Sequence, residues 1–292
     1  MADDVPVASE LVGTTTAWEP MVCEATRVAQ FAEIARLPSQ TLSAGKTPLP
    51  PTYLVAQHVD TGALGIPDAP IRLNGGNWYR ADHPAQAGEA LERSTRVVEV
   101  VRKQGRSGVL VMYELEISCR RVADGALVAT NGHTTIRRYP TAAGSERRAA
   151  SPGPPKNASR APAAAEPPAG VAVLEVVPSS RDLVRYAAAT GDFYEAHYDQ
   201  AFARSRGFPD IIVHGLLKLA WFATAALDHV GGGYSIHDVR ASYRGTDLVG
   251  RAFTVWCATT AGAAGEGPLE VRLTGVSADG TISTVGSASL SR

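Results

Sequence analysis

The chain is poor in cysteine, in net charge and in long apolar runs, and each shortage removes a class of protein. Its 292 residues include three cysteines, Cys23, Cys119 and Cys257, which lie far apart in none of the paired spacings of a zinc site or a redox Cys-x-x-Cys motif. They read as buried apolar fillers. The 28 basic and 29 acidic residues leave a formal net charge of -1, so no overall field holds a polyanion, and a nucleic-acid partner is not expected. No stretch approaches the roughly 18 uninterrupted apolar residues of a membrane span. The first residues, Met-Ala-Asp-Asp-Val, lack the basic start and apolar run of a secretory signal. A cytoplasmic setting without membrane contact is the expectation. Glycines cluster at hairpins and helix ends, which gives no support to a nucleotide-phosphate cradle.

Hydrophobic residues make up 45% and charged residues 20%, enough to build a core, and the length suits two domains. The stretch 141–170, TAAGSERRAASPGPPKNASRAPAAAEPPAG, mixes Pro, Ala, Gly and Ser with almost no large apolar side chain, as a linker does. It separates an N-terminal domain, 1–140, from a C-terminal domain, 171–292.

The two parts show the same order of patterns. In the first, VCEATRVAQFAEIARL has helical spacing and YLVAQHV follows Pro51 as a second helical piece. Three alternating runs come next, opening at Val98, Val109 and Ala126, with turn signals at Gly105 to Gly108 and at Asp124-Gly125: an antiparallel meander. In the second, Ser179-x-x-Asp182 resembles a capping box and Gly191 closes the helix it starts. The run GLLKLAWFATAALDHV is apolar nearly all round, like a helix wrapped by a sheet, and Gly231 to Gly233 stop it. Four strands follow, in DVRASYRG, AFTVWCATTAG, PLEVRLTGVSADG and TISTVGSASL. Helices followed by antiparallel strands make an α+β class rather than alternating βαβ units.

Chemistry concentrates between Thr190 and Leu227. Asp192 follows the helix-ending Gly191, and His197 comes five residues later in a stretch too irregular for one helix, so both side chains can enter a common cleft and share one water. Addition of water to an α,β-unsaturated thioester needs a base, a proton donor and an electrophilic site for the thioester oxygen. The free N–H groups where the long helix starts, at His214-Gly215, suit the last of these, and glycine at 215 would let a substrate approach closely. The bland alternatives are a capping Asp beside a solvent-facing His, and a core histidine at 214.

The segment Gly191-Asp192-Phe193-Tyr194-Glu195-Ala196-His197-Tyr198-Asp199, then Ala203, Gly207 and Val213-His214-Gly215-Leu216-Leu217, resembles the MaoC-like or hydratase-2 group of hotdog enzymes. VRASYRGTDLVGRAFTV resembles that family's later strand. The N-terminal part, with LNGGNWYRADHPAQAGEALERSTRVVEV and KQGRSGVLVMYELEI, resembles the noncatalytic half of double-hotdog dehydratases, where a Gly-Gly turn, a strand and a Gly-Arg-Ser-Gly hairpin stand. The resemblance implies a double hotdog, in which each domain wraps an antiparallel sheet around a long helix. It implies (R)-specific hydration or dehydration of an enoyl or 3-hydroxyacyl thioester, with Asp192 and His197 as the hydratase pair and the Gly215 N–H at the oxyanion site. Tyr194, His214, Phe208, Tyr53 and Trp78 are candidate pocket residues, with Tyr79 a further possibility. CoA or phosphopantetheine enters as part of the substrate, carried by acyl-CoA or acyl-carrier protein, and no metal or separate cofactor is implied. Arg204, Arg206, Arg240 and Arg244 are candidates for its phosphates, against the ordinary reading of solvated surface charges. The faces left exposed give room for a homodimer. Tyr194 and Glu195 replace the family's usual Asn and Pro, Asn74 stands where relatives carry a histidine, and Asp82-His83 cannot repeat the pair's spacing. The rival readings are a hotdog thioesterase and a noncatalytic acyl-binding or scaffold protein.

Overall fold

Buried and more exposed residues alternate most regularly along the strand Gly108–Arg121. The computed structural model describes residues 5–37, 47–105, 108–140, 167–262 and 267–292. The expected linker, apart from 167–170, and Arg106-Ser107 of the expected turn lie outside them. The first half runs β1 (Glu19–Met21), α1 (Ala25–Ile34), α2 (Tyr53–Ala56), β2 (Ile71–Ala81), β3 (Leu91–Gly105), β4 (Gly108–Arg121) and β5 (Leu127–Pro140). The second runs β6 (Val171–Val176), α3 (Ser180–Thr190), α4 (Gln200–Ser205), α5 (Gly215–Val230), β7 (Ser235–Tyr243), β8 (Phe253–Ala261), β9 (Leu269–Ser277) and β10 (Ile282–Ser291). In β4 the odd-numbered residues Val109 to Cys119 are buried, as a period of two requires. Val109 to Leu115 pack on Leu64, Ile66 and Val97, while Ile117 and Cys119 join the main core.

All strands pair antiparallel in one ten-stranded sheet of order β1-β3-β4-β5-β2-β7-β10-β9-β8-β6. The two halves meet where β2 pairs with β7, from Gly76 opposite Ser242 to Arg80 opposite Asp238. The Gly75-Gly76 pair, expected as a turn, lies inside β2 at a register shift against β5. A Cβ on Gly75 would stand 2.9 Å from Ile136 and Thr134 side-chain carbons, and one on Gly76 2.8 Å from Ala241 O. Glycine is there for close strand approach and a bulge.

The capping box forms as expected: Asp182 N–H donates to Ser179 Oγ (3.2 Å) and Ser179 N–H to the Asp182 carboxylate (2.9 Å). Gly191 ends α3 in the left-handed region, at φ 83°. Helix α5 is buried from Leu216 through Ala226, touched by β2 and by all five strands of its own half. Trp221 Nε1–H donates to Ile34 O (3.1 Å) and Thr224 Oγ to Ala35 O (2.7 Å), tying it to the end of α1. The first half holds no comparable helix among the described residues. Its second helical piece, α2, spans four residues, with Pro48, Pro50 and Pro51 before it and Gln57 extended after it. Proline lacks the N–H and restricts its predecessor, so α1 and α2 fill that core as separate pieces. The three cysteines are free and buried, and burial raises each thiol to about 12.

Candidate functional site

Gly191 turns the chain out of α3 so that Asp192 emerges beneath the head of α5. Residues Glu195–His197 form a single 3-10 turn, and the irregularity noted in the sequence is what frees the His197 ring from a helix face. Segment 211–213 fixes that ring. Ile212 N–H donates to Ala196 O (3.1 Å), and Ile212 O lies 2.8 Å from His197 Nδ1. A carbonyl only accepts, so Nδ1 carries the proton and the neutral ring keeps its lone pair on Nε2.

That segment is held from below by a buried ion pair that sequence reading missed. Val213 N–H donates to Asp247 O (2.8 Å). The Asp247 carboxylate takes Lys218 Nζ (2.8 Å), Ser277 Oγ (2.5 Å) and Ser283 Oγ (2.8 Å). Lys218 also donates to Gly245 O (3.2 Å). A lysine inside an otherwise apolar helix was the available signal, since such residues are rarely buried without a partner.

His214 is the N-cap residue of α5 but makes no side-chain cap. Its Nε2 lies 3.2 Å from Asp192 O, and its Nδ1 is buried without a partner. Its ring stacks on His197, with centroids 3.7 Å apart and planes 22° from parallel, and also meets the tilted Tyr186 ring at 4.7 Å. Asp192, His197 and His214 carry ligand-type atoms within 4.8 Å of one another. A carboxylate and two imidazoles at this spacing can pass a proton among themselves and also form a donor set of the kind that could hold a metal ion.

Burial pushes the Asp192 carboxyl up, but His214, His197, His58 and the Tyr194 N–H outweigh it and hold the group below 3.8. For His197 burial dominates over Asp192 and Ile212 O, taking it below 6.5. Burial, then the neighbouring His197, takes His214 down to about 3 against the pull of Asp192. The arrangement is a carboxylate beside neutral imidazoles.

The N–H groups of Gly215, Leu216 and Leu217 precede the first helical hydrogen bond, from Lys218 N to His214 O (3.3 Å), and stand at the positive end of the dipole. The reason expected for glycine at 215 needs correction: a Cβ there would meet Tyr243 Cε2 at 2.8 Å. A ring from β7, rather than a substrate, takes that space.

The candidate pocket residues scatter. Tyr194 lies edge-on to His197 at 5.8 Å and lines a cavity of about 380 Å³ with Asp68, Arg72 and Arg206. Phe208 instead packs under the loop against Ala196, Ala203 and Ile212. Tyr53 is core, wholly buried, its hydroxyl donating to Val22 O (3.0 Å); it reaches His214 only through Phe31 and Tyr186. Tyr79 is also core. Trp78 lies on the outer face: its neighbour Asn77 points toward α5, where it meets Tyr243 OH (3.0 Å), and successive residues of a strand face opposite ways. Of the arginines, Arg206 donates to Pro70 O (3.1 Å) and Arg240 pairs with Asp238 (2.9 Å). Arg204 reaches Pro209 O at 3.5 Å, and Arg244 borders an outer-face groove with Trp78. Asp82 and His83 make local contacts with Thr130 and Leu127 O. The sequence also missed His58 and His133 from the first half, both of which interact electrostatically with Asp192 or with each other.

A single antiparallel sheet built from two halves, one of them wrapped around a long buried helix, is a double hotdog. Residues 158–248 match the family described as MaoC like domain, and residues 10–131 match the FAS1-like dehydratase domain region, so a dehydratase-type family model matches in each half. No curated protein matches it by sequence. A MaoC-like dehydratase from Phytophthora capsici is similar with a TM-score of 0.69 at 18% identity, over 99% of each chain. A Mycobacterium tuberculosis protein described as having a double hotdog fold gives 0.65 at 14% identity, over 99% of this chain and 96% of the other. Peroxisomal multifunctional enzyme type 2 of Drosophila melanogaster gives 0.67 at 15%, over 94% of this chain and 48% of the other. At such identities the likeness concerns the fold. Among the described residues no helix is long and apolar enough to cross a membrane.

Proposed function

We propose that the protein catalyses reversible hydration of a trans-2-enoyl thioester to a 3-hydroxyacyl thioester, (R)-specific by family resemblance. The acyl group is carried on CoA or an acyl-carrier protein, no metal or separate redox cofactor takes part, and the setting is cytoplasmic. We further propose two domains, 1–140 and 171–292, joined by 141–170, and a homodimer. The observation that carries the reading is the His197 tautomer. With Nδ1–H bound to Ile212 O, Nε2 is left as the basic nitrogen of a ring that brings a nitrogen within 4.8 Å of the Asp192 carboxylate.

In the hydration direction Asp192 and His197 hold one water and take its proton as its oxygen bonds to the β-carbon. The C=C electron pair moves toward the thioester oxygen, which the Gly215 N–H and the α5 dipole stabilise. A proton relayed from the pair then closes the α-carbon. Each group has a protonation state suited to that part at neutral pH.

Crotonyl-CoA is the probe. The wild type is expected to remove the enoyl absorbance without releasing thiol, and Asp192→Asn and His197→Ala to slow it by about 10²–10⁴. Thiol release in step with substrate loss would favour a thioesterase. Equal slow rates in all three proteins would leave acyl binding without catalysis.

A further inference from the structure

The half expected to be structural holds an imidazole, His133, that interacts electrostatically with Asp192. His133 on β5 stands directly across the ladder from Asn77 on β2. Asn77 Nδ2 lies 3.3 Å from Gly132 O and 3.0 Å from His133 Nδ1, while Asn77 Oδ1 accepts from Asn74 Nδ2 (2.7 Å) and from Tyr243 OH (3.0 Å). Gly132 O cannot donate, so it fixes which end of the amide is the NH₂ group. His133 Nδ1 therefore accepts, and the one proton of the neutral ring sits on Nε2. Burial keeps the ring neutral by taking it down to about 4, although the Asp192 charge pulls the other way. His133 Nε2 has no hydrogen-bond partner among the described residues. The network ends at Tyr243, whose ring packs on Gly215 at the head of α5.

We propose that His133 is a catalytic residue supplied by the N-terminal half, whose Nε2–H donates a hydrogen bond to the thioester oxygen of the substrate. It acts with the Gly215 N–H as negative charge gathers on that oxygen during addition of water, and Asn77 is the positioning residue that holds its tautomer. A neutral imidazole with a depressed pKa serves as an electrophile without surrendering its proton. The inference rests on the hydratase reading.

The test compares crotonyl-CoA hydration by the wild type, Asp192→Asn, His133→Met and His133→Gln. His133→Met removes the donor and keeps apolar bulk; His133→Gln keeps an N–H near the same place. His133→Met is expected to lower kcat by about 10²–10³ with KM little changed and the melting temperature near the wild type's, and His133→Gln to recover a large part of the loss. Wild-type kcat in His133→Met, or equal loss in both variants, overturns the proposal and leaves the hydratase reading intact if Asp192→Asn is dead. A wild type unable to hydrate crotonyl-CoA sinks both. Should His133→Met fail to fold, nitrogen-15 NMR of the wild type decides: a protonated Nε2 supports the proposal, and a protonated Nδ1 overturns it.

Discussion

His197 and His214 lie face to face, their ring centroids 3.7 Å apart. Two imidazolium ions so placed in a buried site would repel strongly, so the stack favours neutral rings and leaves Nε2 of His197 basic. The expected kcat/KM profile is flat near pH 7 and falls on the acid side with an apparent pKa below 6.5, the ordinary value. Steady-state rates with crotonyl-CoA across pH check this; an acid limb at or above that value contradicts it.

The same burial links stability to pH. His214 and His133 titrate at about 3 and about 4 in the folded protein, against 6.5 when free. Between those limits the unfolded chain binds more protons than the folded one, so stability rises with pH across that window. Urea midpoints should drop from pH 7 to pH 5, and His214→Gln should flatten the dependence. A midpoint that does not move with acidification would refute it.

Removing one partner from Lys218 and Asp247 should cost much more than removing both. Lys218→Met leaves a buried carboxylate with only hydroxyl partners, and a loss of about 3–5 kcal/mol is expected. The double variant with Asp247→Asn should recover a good part. Denaturation of the four combinations measures the coupling, and a harmless Lys218→Met would show that the pair holds nothing in place.

Gly215→Ala should be damaging despite alanine's better helix propensity, because the added methyl falls 2.8 Å from the Tyr243 ring. Overpacking of this kind costs about 1–3 kcal/mol. Tyr243→Leu in the same chain should restore part of the melting temperature. If Gly215→Ala melts like the wild type, the ring is not the constraint.

Local signals made much of this readable. Ser179 and Asp182 form a reciprocal cap, Gly191 needs positive φ, and the apolar run from Leu216 starts and stops within a residue or two of where the helix does. Asp192 and His197 stand out because they share one short loop. Asn77, His133 and Tyr243 did not stand out, because each is one of several polar residues on its strand and they meet only through the pairing of β5 with β2 and of β2 with β7. Register across a sheet is set by the fold as a whole. Gly75 and Gly76 read as a turn since glycine pairs commonly mark one; what decided their place was the crowding of Ile136 and Ala241. Trp78 looked like pocket lining for a similar reason, as side-chain direction in β2 depends on where its bulge falls.

The end strands of the sheet are short: β1 has three residues and β6 has six. Each offers a newcomer only a brief row of unpaired amides and carbonyls, which is how natural sheets discourage edge-to-edge polymerisation. Strand addition onto β1 or β6 is therefore poorly templated, although β3 runs on well past its three-residue pairing with β1.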